Sequence, residues 1–198
     1  MNYPGYPALL YLLAVLIVWF AHELHIEKRK NTNQETLPQK LKMNNTLLTT
    51  GTLFSILLMV ILLAINIFVT PWLFYPKLSV SLIGSTLALF GILLRFYAIR
   101  TLSVHFDANI QIKEDQELIQ HGLFRYIRHP SYTGSLLTFI GFGIGSLNGL
   151  TAAVLPSFLF IVYIQRIRLE ENVLLEGFGQ KYENYRKTTG ALFPKLKK

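Results

Sequence analysis

The chain has 198 residues, 52% hydrophobic and only 15% charged, with a mean hydropathy of +0.38, whereas soluble domains carry roughly 25% charged residues, so a water-soluble globule is disfavoured. The net charge is +8 and there is no cysteine, which excludes disulfide frameworks, Cys-ligated zinc, iron–sulfur clusters and thiol catalysis. A basic excess fits nucleic acid, anionic lipid or the cytoplasmic loops of a membrane protein, and the position of the charges decides among them.

A helix crosses a hydrocarbon core of about 30 Å with about 20 apolar residues, and four charge-free stretches approach or exceed that length. The first runs from Met1 to Ala21; its uncharged start and the His22-Glu23-Leu24-His25 that follows do not suit a signal peptide, so it is expected to stay as a helix. The second runs from Met43 to Pro76, with its core at Leu53 to Val69, after a polar connector at 23–45. The third spans Leu78 to Leu94. The fourth, Pro130 to Gln165, has 36 residues and is too long for one crossing. Its Gly145-Ser146-Leu147-Asn148-Gly149 cluster predicts a turn, folding it into a hairpin whose arms, at about 1.5 Å per residue, reach only roughly 24 Å. Leu169 to about Arg186 reads as an amphipathic helix with Leu174, Phe178, Tyr182 and Tyr185 on one face. It either lies on the headgroups or packs over the other polar segments.

These elements predict an all-α integral membrane protein with about five transmembrane helices, the last two a helical hairpin, plus the C-terminal amphipathic helix. Residues 1–99 form an N-terminal helical part and 100–198 a second unit. Of the 19 Lys and Arg, five lie in 23–45, five in 95–128 and eight from Arg166 onward, leaving Lys77. An arrangement with the N-terminus outside puts all but Lys77 on the cytoplasmic side, as the positive-inside rule requires. The charge is thus mostly topological, membrane lipids are the expected surroundings, and no nucleic-acid partner is expected.

Two clusters carry possible chemistry. In the first, His121-Gly122 is expected to end a short helical turn, and Pro130 suits the first turn of a membrane helix. Arg125, Arg128 and His129 then sit at the interface, either as a plain basic anchor or as part of a site. The second is Arg166-Ile167-Arg168-Leu169-Glu170-Glu171. Arg166 and Glu170, four apart, and Arg168 and Glu171, three apart, are spaced for intrahelical salt bridges, yet charges where lipid gives way to water are also functional suspects. Folding the hairpin brings His129, Tyr132, Arg166 and Glu170 to one rim, suited to joining a water-soluble reagent to an amphiphile.

The ordered set Leu118-Ile119, Gly122-Leu123-Phe124, Arg128-His129-Pro130-Ser131-Tyr132-Thr133-Gly134, Arg166 with Glu170-Glu171, then Phe178-Gly179, Tyr182 and Tyr185 resembles the isoprenylcysteine carboxyl methyltransferase family and its phospholipid methyltransferase relatives. The resemblance covers roughly residues 100–194. It implies an integral membrane enzyme that transfers a methyl group from S-adenosyl-L-methionine to a lipophilic or lipid-modified acceptor, without a Rossmann fold. It further implies that the cofactor is held by Asn109, Gln116, Glu117, Leu118, Ile119, Phe124, His129, Pro130, Ser131, Tyr132 and Glu170. Gln116 stands where the family often has histidine, and Phe124 where it often has tyrosine, which removes one hydroxyl contact. Arg166 is placed at the acceptor carboxylate, as substrate-binding and catalytic residue. For a hydroxyl or amine acceptor, Glu171 or His129 is the expected base; no metal is expected. Two other readings stand beside this one: a nicotinamide-dependent membrane reductase of the sterol reductase type, and a non-catalytic membrane scaffold.

Overall fold

The computed structural model describes residues 13–21, 23–24, 50–51, 54, 57–58, 61, 78–102, 117–145 and 149–195. Residues 13–21 and 23–24 are helical (α1). Residues 50–51, 54, 57–58 and 61 are helical as well, and beyond them the described residues form α2 (Leu78–Leu102), α3 (Pro130–Gly145), α4 (Gly149–Phe178) and α5 (Gln180–Thr188), with a short 3₁₀ helix at Gly122–Arg125 before α3. Among the described residues there is no named strand, and only α2 is long and apolar enough to cross a membrane.

The centre of the molecule is the antiparallel pair α2 and α3, joined by backbone approach rather than by large side chains. A Cβ added at Gly84 would stand 2.3 Å from the Gly145 nitrogen, one at Gly91 2.5 Å from the Gly134 oxygen, and one at Gly141 2.4 Å from the Ala88 nitrogen. Small residues at helix crossings allow such packing where no water drives association. Two hydroxyls tie the pair: Ser81 Oγ donates to the Gly145 carbonyl at 2.9 Å, and Thr138 Oγ1, bonded to the Gly134 carbonyl of its own helix at 2.9 Å, also reaches the Ala88 carbonyl of α2 at 3.4 Å. Around this seam a core forms from Val15 and Trp19 of α1, Ala88 and Ile92 of α2, Leu136, Phe139 and Phe142 of α3, and Leu155, Leu159 and Tyr163 of α4. Trp19, fully buried, meets Phe139 edge-on at 5.2 Å.

The helix that starts at Pro130 ends at Gly145 and the next begins at Gly149, so a break falls where the hairpin turn is expected; residues 146–148 themselves lie outside the described residues. Three expectations are corrected. The helix that begins at Leu78 does not stop with the charge-free stretch at Leu94: α2 continues two turns through Arg95 to Leu102. The fifth helix does not end near Gln165: α4 runs on to Phe178, so the expected single amphipathic helix from Leu169 to Arg186 is two helices. They meet at Gly179, whose φ of +52° only glycine adopts readily. Finally, Gly122 opens a 3₁₀ turn instead of ending one, with His121 as the residue before it.

Candidate active site

The start of α3 is set by a proline and by the C-terminal segment of the chain. Pro130 occupies the first helical position, where no N–H is needed, and the His129 carbonyl accepts from Tyr132 N–H at 3.1 Å and Thr133 N–H at 3.2 Å. On the other side, residues 189–192 run alongside 127–129 in a short parallel bridge. Arg128 N–H donates to the Gly190 carbonyl at 2.9 Å, His129 N–H to Ala191 at 3.0 Å, and Thr133 Oγ1 to Leu192 at 2.7 Å. Backbone groups on both flanks therefore hold the Arg128-His129-Pro130 block.

This block meets α4 through charge. Arg128 Nε donates to Glu171 Oε1 at 2.7 Å, and its guanidinium also takes the carbonyls of Thr189 and Arg186, capping the end of α5. His129, 5% exposed, sits between two carboxylates: its Nε2 is 3.3 Å from Glu171 Oε1, and its Nδ1 is 3.8 Å from Glu170 Oε2. Burial alone would raise the Glu171 carboxyl, but hydrogen bonds from His129 and Arg128 outweigh it and hold the group down to about 2. Glu171 is thus a fixed anion at the junction of α3, α4 and α5.

One turn of α4 earlier lies the open part of the cluster. Tyr132 donates its hydroxyl to Glu170 Oε2 at 3.0 Å and accepts from Arg166 Nε at 3.4 Å. Arg166 is 2% exposed, whereas the Glu170 side chain retains 30%. Tyr132 is stacked between His129, at 5.7 Å, and Tyr163, at 4.9 Å, and the Tyr163 hydroxyl is fixed by Ser135 at 2.7 Å. A buried guanidinium, a reachable carboxylate and a phenol between them can hold an anion and a cation side by side, because the fork binds carboxylates and the carboxylate binds ammonium groups.

Of the residues singled out from sequence, the structure brings together His129, Pro130, Ser131, Tyr132, Arg166, Glu170 and Glu171. The spaced pairs of the second cluster turn outward from their own helix: Glu170 takes Tyr132 and Glu171 takes Arg128. Arg125 remains exposed, as the anchor reading expects, but Arg128 points inward. Phe124 is buried, and its carbonyl is taken by the Tyr185 hydroxyl at 2.5 Å, so that backbone acceptor is already used. Glu117, Leu118 and Ile119 lie in irregular chain ahead of the 3₁₀ turn, Glu117 exposed and the other two half-buried. Asn109 and Gln116 lie outside the described residues.

Sequence reasoning did not single out Tyr163 or the segment 189–192, and it used Tyr182 only in a spaced series and in the ordered set that carries the family resemblance, without a role at the site. Tyr182 is 1% exposed and its hydroxyl has no hydrogen-bond partner among the described residues. Burial, with Glu171 nearby, raises it above the ordinary phenol range. A buried hydroxyl left unpaired costs about 1–3 kcal/mol, and this one lies next to the carboxylates of the site.

The arrangement has known relatives. A sequence model of the isoprenylcysteine carboxyl methyltransferase family matches residues 82–176, which contain most of α2, all of α3 and the charged part of α4. Protein-S-isoprenylcysteine O-methyltransferase A of Arabidopsis thaliana is 30% identical over 139 residues, covering 67% of this chain and 71% of that protein. The protein-S-isoprenylcysteine O-methyltransferase of Tribolium castaneum is 36% identical over 129 residues, 61% of this chain and 45% of that protein; this chain thus spans about half the length of that relative. The solved structure of a eukaryotic intramembrane Ras methyltransferase superposes with a TM-score of 0.66 at 23% identity, over 92% of this chain and 64% of that one, and so shares its fold. Since the match spans the helices that carry the cluster and extends over most of the Arabidopsis protein, the chain belongs to the isoprenylcysteine carboxyl methyltransferase family.

Proposed function

We propose that this protein is an S-adenosyl-L-methionine-dependent methyltransferase of a lipophilic, membrane-resident acceptor, acting on the carboxylate of an isoprenylcysteine-like group. The observation that carries the reading is the Arg166–Tyr132–Glu170 arrangement: a buried guanidinium and a reachable carboxylate on one helix, bridged by a phenol from the facing helix. When bound, the cofactor supplies an electrophilic methyl group on a sulfonium, whose transfer to a carboxylate oxygen leaves a neutral thioether and releases no proton. The residues present fit it. Glu170 keeps an accessible face for an ammonium, the His129 and Tyr132 rings offer a stacked wall, and the unpaired Tyr182 hydroxyl offers a donor.

Arg166 holds the acceptor carboxylate in this reading, and the apolar helices around it keep water away, so that alignment supplies most of the rate. A carboxylate acceptor is already ionised at neutral pH and needs no base. Glu171 is therefore assigned to orienting Arg128 and His129, because its ion pairs hold it as an anion. Following the family resemblance, we assign Ser131, together with Asn109 and Gln116 to Ile119, to holding the cofactor.

A bilayer setting is supported by what the helices leave outside. α2 exposes Leu82, Ile83, Phe90 and Leu93 at 42–64%, and α1 exposes Ile17 and Val18 at 68% and 51%. Apolar surface on this scale needs a cover, and lipid suits it on several helices at once. Five crossings with the N-terminus outside would put the site at the cytoplasmic rim.

The test is direct. Purified protein in detergent, given methyl-labelled cofactor and an N-acetyl-S-prenylcysteine, is expected to yield a base-labile methyl ester. Label appearing only in an amine or phenol acceptor, or NADPH binding in place of S-adenosylhomocysteine, would overturn the assignment. The Tyr182 hydroxyl gives a second check. Tyr182→Phe is expected to leave thermal stability unchanged or slightly raised, since it removes a buried unpaired group. It should weaken S-adenosylhomocysteine binding by about five- to tenfold, the value of one hydrogen bond; calorimetric binding equal to wild type would remove Tyr182 from the site.

A further inference from the structure

The amino-terminal helix lies outside the residues matched by the family model, yet it delivers a charge to the site. Val15, Trp19 and Glu23 are four residues apart in turn, so they share one face of α1. The first two are 5% and 0% exposed and belong to the core. Glu23 continues that buried stripe with a carboxylate, its side chain only 19% exposed.

Its partner is Arg95 of α2, 12% exposed. The contact is a two-pronged fork: Nε to Oε1 at 2.7 Å and the second terminal nitrogen to Oε2 at 3.1 Å. The remaining terminal nitrogen of Arg95 donates to Ser131 Oγ at 2.7 Å and approaches the Ser131 carbonyl at 3.4 Å. The backbone seam explains why Arg95 arrives there. Gly84 against Gly141 and Gly91 against Gly134 lock the antiparallel register of α2 and α3, and one turn further the same register sets Arg95 against Ser131. A Cβ on Gly134 would already touch the Arg95 backbone nitrogen at 2.7 Å. Ser131 directly precedes Tyr132, the phenol between Arg166 and Glu170.

We propose that Glu23 is a positioning residue of this site: acting through Arg95, it fixes Ser131 and the first turn of α3, and thereby the direction in which Tyr132 presents its hydroxyl. The proposal rests on the methyltransferase reading for its consequence and on geometry alone for its structural half. A guanidinium this buried keeps one orientation only while its counter-charge is in place. Without Glu23 the fork is lost, Arg95 turns toward water, and Ser131 loses its donor. Displacements on the order of 1 Å at a reacting centre cost up to about 10²-fold in rate.

A double-mutant cycle on the full chain in detergent tests this. Glu23→Gln and Ser131→Ala are each expected to lower kcat for methylation of N-acetyl-S-prenylcysteine by about tenfold, with KM for the acceptor changing less than kcat. The double variant should be no slower than the worse single, because both changes break one chain of contacts. Losses that multiply, or a Glu23→Gln kcat equal to wild type, overturn the proposal. Arg95→Lys keeps a charge opposite Glu23 but lacks the fork; it carries the same expectation if Glu23→Gln does not fold. Hydrogen exchange supplies the readout independent of activity: in Glu23→Gln the amides of 131–134 should exchange faster while those of 139–143 stay as in wild type. A change spread evenly over α3, or none, overturns the positioning role even if the enzyme methylates a different acceptor or none. Absence of methyl transfer in wild type, with the local exchange change present, would sink only the methyltransferase reading.

Discussion

Replacing Arg166 with methionine is expected to lower methyl transfer by about 10²- to 10³-fold while leaving S-adenosylhomocysteine binding within a few fold of wild type. Arg166 is 2% exposed and reaches Tyr132 through Nε, and methionine fills much of the same volume without charge, which separates loss of function from loss of packing. Groups that orient or neutralise a reacting anion in a dry site are worth about 2.7–4 kcal/mol when removed, which is the stated range of rates. Arg166→Lys should recover little of the loss, because an ammonium is a point charge and cannot grip both carboxylate oxygens in a plane. The deciding measurement is kcat/KM with a prenylcysteine acceptor alongside calorimetric binding of S-adenosylhomocysteine. A methionine variant that retains transfer would remove the guanidinium from the acceptor site. One that loses cofactor binding entirely would move Arg166 to the cofactor side.

Arg166 was legible in the sequence, and it is instructive which neighbours were not. The site residues that could be read were those whose chemistry shows in their type and spacing: proline at a helix start, an imidazole beside it, and arginine with carboxylates four and five residues on. The break between α3 and α4, after Gly145 and before Gly149, was legible because glycine and asparagine cluster there in the sequence. The division of the last amphipathic stretch was not. Leu174, Phe178, Tyr182 and Tyr185 keep a helical period straight through Gly179, and a single residue at φ +52° leaves no mark on that period. The role of residues 189–192 was equally hidden, because they bind the Arg128-His129 block through backbone carbonyls, which any residue provides. Glu23 falls between these cases. It shares a face with Val15 and Trp19, but a carboxylate at the end of an apolar stretch reads as the point where a helix meets water, and only the arrival of Arg95 reverses that reading.

The largest effect on stability is expected from Glu171, where two guanidinium groups and an imidazole converge. Arg128 lies 2.7 Å away, His129 3.3 Å and Arg186 3.7 Å. Glu171→Ala leaves the largely buried Arg128 guanidinium without this counter-charge and takes a hydrogen-bond partner from His129, and uncompensated buried charges cost about 3–5 kcal/mol, enough to consume much of a small protein's stability. Glu171→Gln keeps the shape and an accepting oxygen, so it should fall between alanine and wild type. The sign of the pH dependence follows from the carboxyl being held at about 2, below its ordinary value of 4.5. A depressed carboxyl contributes its full stabilisation above the unfolded-state value and loses it as pH falls through the folded one. Between pH 5 and 2 the wild-type unfolding midpoint should therefore fall more steeply than that of Glu171→Gln, which has no proton to gain at this position. Parallel slopes for the two proteins would show that Glu171 does not carry the ion-pair energy of the junction, and Arg128 would then be held chiefly by the carbonyls of Arg186 and Thr189.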